Sequence, residues 1–246
     1  MHALIVIGDS LGCPRPSAQI GLRQTYAWRL QEQLAPDIYV VNWAAGDTSS
    51  RRATADGFMR TYVRASEATY AVVQLGIVDC APRLMSNLER VIVGVASRVP
   101  GLRILNAAYV RLKARHRFVL TRWFPKTLVS RDEYALNMRR LVNELLTLPG
   151  LRKVFLLTIA EAGPILVARS FGIADNIKSY NDVLASIAAS QAGRVQTIDV
   201  AAITREHPEW ITQVDGHHLT SDAHAWIAGT IARHIEVDRA QAEHPR

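Results

Sequence analysis

Five short apolar runs alternate with segments of helical periodicity, and this alternation narrows the fold more than any other feature of the chain. The runs are Ala3–Ile7, Ile38–Val41, Ala71–Leu75, Val154–Ile159 and Val195–Ile198. Each is short, rich in β-branched residues and uninterrupted by polar alternation, as expected of strands buried on both faces. Between them, Leu22, Tyr26, Leu30 and Leu34 recur every four residues. Leu84, Leu88, Val91, Ile92 and Val95 make a second stripe, and Tyr134, Met138, Leu141 and Leu145 a third that ends at Pro149-Gly150. Tyr180–Ser190 reads as helix, and Thr220 or Ser221 can cap a last helix that buries Ala223, Trp226, Ile227 and Ile231. The pattern predicts an α/β fold, a single three-layer domain over residues 1–246 with a five-stranded parallel sheet between helices. In such a sheet a ligand site lies at the carboxyl ends of the strands.

Composition excludes several classes. With 49% hydrophobic and 21% charged residues the chain is not disordered. No apolar run is long enough to cross a bilayer, and no secretory signal or transit peptide is read at the start. Two cysteines make no disulfide framework, so a reducing, cytoplasmic setting is expected. The net charge of +7 is unevenly spread: residues 98–131 hold nine Lys or Arg and no Asp or Glu, so the remainder sums to −2 (7 − 9). This basic insert also carries Tyr109, Phe118, Trp123 and Phe124. It can be a solvated helix and loop, an anchor peripheral to an anionic membrane surface, or a seat for an acidic polymer. Nucleic acid is disfavoured as a partner because no nucleic-acid module is recognisable. Residues 238–246 are polar and are expected to form a flexible tail.

Four groups of glycine and polar residues fall at the expected carboxyl ends or in the loop that can fold over them. They are Gly8-Asp9-Ser10-Leu11, Gly46-Asp47-Thr48-Ser49, Gly76-Ile77-Val78-Asp79 and Asp215-Gly216-His217-His218. In order, spacing and context they resemble the blocks of the SGNH (GDSL) hydrolase family, over nearly the whole chain. The resemblance implies the family's flavodoxin-like strand order, Ser10 as nucleophile, the backbone N–H groups of Ser10 and Gly46 as oxyanion donors, and Asp215 and His218 as acid and base. Asn181, in Tyr-Asn-Asp-Val-Leu, matches a structural segment of the family. The residue types suit acyl chemistry: a serine hydroxyl needs a base to take its proton, and a carboxylate fixes the imidazole that does so. His217 is the rival base, at a spacing from Asp215 that departs from the family pattern.

The third block departs from the family's Gly-x-Asn-Asp, because Val78 stands where an asparagine would donate to the oxyanion. Valine has no donor. Either Arg15 or Arg83 replaces it, or the rate is low, or the site only binds. Cys13-Pro14-Arg15 and Cys80-Ala81-Pro82-Arg83 form a near-duplicate pair past the ends of strands one and three. Arg15 and Arg83, with Asp79, are therefore candidate substrate-binding residues, the guanidinium pair suiting an anionic part of a substrate. The wording of these two segments also resembles a sub-branch of the family associated with bacterial surface-polysaccharide assembly. No metal and no cofactor is called for: Asp215, His217, His218 and His224 could be metal ligands, but the serine triad accounts for them. The expectation is an ester hydrolase that acts on a carbohydrate or small ester. A carbohydrate O-acyltransferase using the same triad, or a non-catalytic assembly protein at the membrane face, are the alternatives. The acyl chain, the alcohol and the oligomeric state are left open.

Overall fold

The computed structural model describes residues 2–243. Its strands are β1 (His2–Gly8), β2 (Ile38–Asn42), β3 (Tyr70–Gln74), β4 (Lys153–Leu157) and β5 (Val195–Ile198). The helices through β4 are α1 (Tyr26–Leu34), the short α2 (Ser50–Ala53), α3 (Asp56–Phe58) and α4 (Ile77–Cys80), then α5 (Asn87–Ala96), α6 (Pro100–Arg115), α7 (Arg117–Trp123) and α8 (Arg131–Leu146). After β4 come α9 (Pro164–Arg169), α10 (Ile173–Ser190), α11 (Val200–Glu206) and α12 (Ser221–Glu243).

All five strands are parallel, in the order β2-β1-β3-β4-β5. The order reverses between β1 and β3, whose registers pair Leu4 with Tyr70 and Gly8 with Gln74. That reversal opens a crevice at the carboxyl ends of these two strands. Alternating side chains feed two cores, as the two-residue period of a strand requires. On one face Leu4, Val6, Val72, Phe155 and Leu157 pack with Tyr26, Leu30 and Leu34 of α1 and with Ile227, Ile231 and Ile235 of α12. On the other, Ile5, Ile7, Val73 and Leu156 meet Met138, Leu141 and Leu145 of α8 and Ile177, Val183 and Ile187 of α10. Asn181 clamps the end of β4: its Oδ1 accepts from Ile159 N at 2.7 Å and its Nδ2 donates to Ile159 O at 2.9 Å.

Three expectations change. The stripe Leu88, Val91, Ile92 and Val95 does lie on a helix, α5, but it faces outward, with Leu88 70% exposed. The helices α5, α6 and the outer face of α7 form a hairpin in which no described residue of α5 or α6 joins either core, so periodicity here reports an amphipathic helix without a core beneath it. The expected flexible tail is instead helical to Glu243, and residues 244–246 lie outside the described chain. Asp238 holds that end down, accepting from Tyr70 Oη at 2.9 Å and Arg152 Nε at 2.7 Å. Finally, the basic insert is not one unit. Arg131 begins α8, and Arg117 turns inward, donating to Ser170 Oγ at 2.6 Å and to the Pro82 carbonyl at 3.0 Å.

Candidate active site

Ser10 opens a single 3-10 turn directly after β1, with Asp9 as its cap: Asp9 Oδ1 accepts from Leu11 N at 2.9 Å. As the first residue of the turn, Ser10 has an amide N–H with no intrahelical acceptor. Two glycines let the next strand's loop lie against this turn. A Cβ on Gly8 or Gly12 would come within 3.2 and 3.0 Å of Ala44 Cβ. Ala45 N then donates to Gly8 O at 3.1 Å, which brings the Gly46-Asp47 turn alongside the serine turn. Asp9 itself is buried, and burial pushes its carboxyl up to about 7, helped by Asp79 and opposed by the Leu11 N–H.

The fourth block is wound around the Asp215 carboxylate. Its Oδ1 accepts from the backbone N–H groups of His217 and His218, both at 3.2 Å, and from Thr212 Oγ1 at 3.1 Å. A bond from Thr212 N to His218 O at 2.7 Å closes the loop. Gly216 is needed here: its φ is +76°, and a Cβ would meet Leu166 N at 2.8 Å. The loop presents His218 with Nδ1 2.8 Å from Asp215 Oδ2 and Nε2 3.2 Å from Ser10 Oγ. Three residues from the two ends of the chain thus form one hydrogen-bonded line. His217, the rival base, lies against His218 with the ring planes tilted by 47°, its Nδ1 3.4 Å from Asp215 Oδ1 without an aligned hydrogen bond.

The electrostatics suit a base that is neutral at rest. Burial, then the neighbouring His217, bring the His218 pKa from 6.5 down to about 4, although Asp215 pulls it the other way. Burial works against the charge on Asp215 too. In the acid range where a carboxyl titrates, the protonated His217 and His218 rings, together with the two backbone N–H groups, outweigh it and hold the carboxyl well below the usual carboxylate range. An imidazole line held this way can take a proton from Ser10 Oγ and return it to a leaving group. Asp215, His217 and His218 also offer three ligand atoms within 4.8 Å of one another. Two of these three residues are the ones that line up on Ser10. His224, the fourth candidate ligand, is buried elsewhere, accepting from Tyr26 N at 3.3 Å and stacked on its ring.

The remaining candidates separate. Arg15 is not a free substrate contact: its Nη2 donates to Asp215 Oδ2 at 2.9 Å, the oxygen that also meets His218. Asp79 does not line the cavity over Ser10 either. It is fully buried, and its carboxylate accepts from Ser50 N at 3.0 Å and Ser50 Oγ at 2.8 Å. Asp79 therefore ties α2 to α4, and burial raises its pKa to about 6 despite the bonds from Ser50. Arg83 does border the site, donating to the Val78 carbonyl at 2.5 Å. The backbone under Val78 depends on Gly76, whose φ is +140° and whose Cβ would lie 2.5 Å from Ile159 Cδ1.

A cavity of about 300 Å³ stands over Ser10. Its wall includes Val78, Arg83, Asp215 and His217, together with Asp47, Leu166, Arg117 and Arg169. Sequence reasoning missed Arg117 and Arg169. The signal for Arg117 was its place in an acid-free basic segment, and Arg169 had none. Cys13 and Cys80 are both free thiols, the second buried.

Among solved structures the fold matches a lipase/acylhydrolase from Enterococcus faecalis, with a TM-score of 0.65 and 14% identity over 96% of this chain and 95% of that one. It also matches an acetylxylan esterase from Geobacillus stearothermophilus, at 0.60 and 19% identity over 94% and 93%. A third match is an alpha/beta hydrolase enzyme from the metagenome of Lake Arreo, at 0.59 and 18% identity, again over 94% and 93%. What these proteins share with the chain is the fold, a single α/β domain over nearly the whole length of each. No protein-family model matches the sequence, and no curated protein does either.

Proposed function

We propose that the protein is a serine esterase of the SGNH type that removes an acyl group from a carbohydrate or small ester. The observation that carries this is the line Asp215 Oδ2–His218 Nδ1, 2.8 Å, and His218 Nε2–Ser10 Oγ, 3.2 Å, opening on a cavity. Ser10 Oγ attacks the acyl carbon as its proton passes to His218 Nε2. Asp215 keeps the other ring nitrogen protonated and supports the imidazolium. The N–H groups of Ser10 and Gly46 hold the oxyanion. Collapse expels the alcohol, which takes the proton from His218, and water repeats the sequence on the acyl-enzyme. A cavity of about 300 Å³ suits a short acyl group. A surface polysaccharide, the setting that the sequence resemblance implies, would supply such esters, and the two free thiols suit a reducing compartment.

A panel of nitrophenyl esters from acetyl to decanoyl tests the reading. Ser10→Ala and His218→Ala should each abolish cleavage with the fold retained, while His217→Ala keeps most of it. Activity that survives Ser10→Ala would sink the reading. Absence of any wild-type cleavage would favour the non-catalytic alternative motivated by Val78. Transfer to a sugar hydroxyl uses the same acyl-enzyme, and a carbohydrate product that gains acetyl groups would identify it.

A specific observation supports a second role for the α5–α7 hairpin, as a docking face for an anionic membrane surface. It exposes Ile104 (76%), Leu105 (67%) and Trp123 (73%) beside Arg103, Arg111, Arg115 and Arg122. No helix among the described residues is long and apolar enough to cross a membrane, so the contact would lie in the interface. Each basic residue near such a surface contributes about 1 kcal/mol. Binding to vesicles containing anionic lipid should weaken as salt rises, and changing those four arginines to Gln should abolish it. Unchanged binding by the variant would overturn the proposal.

A further inference from the structure

The cavity over Ser10 is more cationic than ester cleavage requires. The serine, the imidazole and two amide N–H groups suffice for a neutral ester, and none of them needs a guanidinium. Yet three arginines from three separate segments meet at this wall: Arg83 after α4, Arg117 at the start of α7 and Arg169 at the end of α9. Two are held in place by their surroundings. Arg83 donates from Nη2 to Val78 O at 2.5 Å and from its backbone N to Lys126 O at 2.7 Å. Arg117 donates from Nε to Ser170 Oγ at 2.6 Å and from Nη2 to Pro82 O at 3.0 Å. A guanidinium has five N–H donors, so these anchors leave capacity on each. Arg83 Nε is buried with no hydrogen-bond partner among the described residues.

Counter-charge on the same wall is sparse. The acidic side chains there are Asp47 and Asp215, and Asp215 already accepts from Arg15 and His218. Burial lowers the pKa of both Arg83 and Arg117; Arg169 and Arg83 lower that of Arg117 further, while for Arg83 the added repulsion comes from Arg90, outside this wall, and is opposed by Asp47 and Asp79. Partly buried guanidiniums that repel one another destabilise the apo site and are relieved by an anion that pairs with them. The apolar members of the wall, Ile77, Val78 and Leu166, leave the serine side available to a neutral acyl group.

We propose that this cavity seats a compact anionic group, a carboxylate or a phosphate, carried by the same molecule that presents its ester to Ser10, and that Arg83, Arg117 and Arg169 are its contacts. The substrate class is then an acylated sugar acid or an acylated sugar phosphate. The orientation toward Ser10 rests on the esterase reading, whereas the binding of the anion does not depend on chemistry.

The test uses the full-length Ser10→Ala protein, titrated by calorimetry at low salt with glucuronate, glucose 6-phosphate and glucose. At least one anionic sugar should bind ten-fold or more tighter than glucose, and which one does so separates carboxylate from phosphate. Arg169→Glu, on an exposed position that anchors no backbone carbonyl among the described residues, should remove most of that preference, and the pair Arg83→Gln/Arg117→Gln should abolish it, with folding followed by circular dichroism. If the pair unfolds, Arg169→Glu decides alone. Equal binding of all three sugars, including none, would overturn the proposal, as would a preference that survives Arg169→Glu. A wild-type protein that cleaves neutral esters but shows no charge preference sinks this inference alone. Charge-dependent binding without any ester cleavage sinks the esterase reading alone.

Discussion

The pH dependence of the imidazole line is the sharpest consequence of its burial. His218 is 4% exposed and its pKa falls from 6.5 to about 4. That displacement corresponds to about 3 kcal/mol against the charged ring, at about 1.4 kcal/mol per tenfold change. Only the neutral imidazole can accept the Ser10 proton, so kcat/KM on a small neutral ester should be lost as pH falls through about 4. At pH 5.5 an ordinary histidine is only about one-tenth neutral, but His218 should remain almost wholly so. The rate there is then close to its plateau rather than about ten-fold down. The same sign holds for folding: with the folded pKa below the unfolded one, the unfolded chain binds more protons, and the contribution to stability is lost between pH 6.5 and about 4. Arg15 makes the argument specific. Its guanidinium sits on Asp215 Oδ2 at 2.9 Å and its charge lowers the His218 pKa. Arg15→Gln should therefore move the acid limb to higher pH. The assay is the pH profile of kcat/KM, paired with the His218 ring resonance followed by NMR in the Ser10→Ala protein. A wild-type limb at or above pH 6.5, or an Arg15→Gln limb that moves down or stays still, would refute the reasoning.

Other outcomes follow from single positions. Val78→Asn, which restores a side-chain donor where the cavity wall meets Ser10, should raise kcat by on the order of 10²; an unchanged kcat would mean that another donor already serves the oxyanion. Gly76→Ala should destabilise by about 2–5 kcal/mol, combining backbone strain and overpacking against Ile159, and at about 2–4 °C per kcal/mol this is readily seen in thermal melts. Asp79→Ala leaves the buried Ser50 N–H without its acceptor and should cost about 1–3 kcal/mol in urea denaturation, where a stability equal to wild type would contradict its structural role. With a thiol reagent the half-buried Cys13 should react in the native protein and the buried Cys80 only after denaturation, since burial holds the Cys80 thiol protonated.

The central strands and the parallel arrangement were legible in the sequence because burial on both faces leaves a local signature, a short β-branched run such as Ile5–Ile7; β2 and β5, at the sheet edges, are only partly buried and were legible from their short apolar runs alone. The four blocks at the carboxyl ends were legible for a similar reason. Turns that need Gly8, Gly76 or Gly216, and a carboxylate three residues before a histidine, are short-range patterns. What the sequence could not carry is which charges face one another across the chain. Arg15 reads as a partner for substrate and lands on Asp215, 200 residues away. Asp79 reads as a site residue and is spent on Ser50. The apolar stripe of α5 has the spacing of a buried face, yet it points to solvent, because periodicity reports which side of a helix is apolar and not whether anything covers it. Arg117 shares its segment with eight other cations, and only the packing of α7 against α9 turns this one into the cavity. Local patterns are set by backbone geometry and hydrophobic burial within a few residues. The pairing of long charged side chains depends on where distant segments come to lie, and that is decided only when the sheet and its helices close.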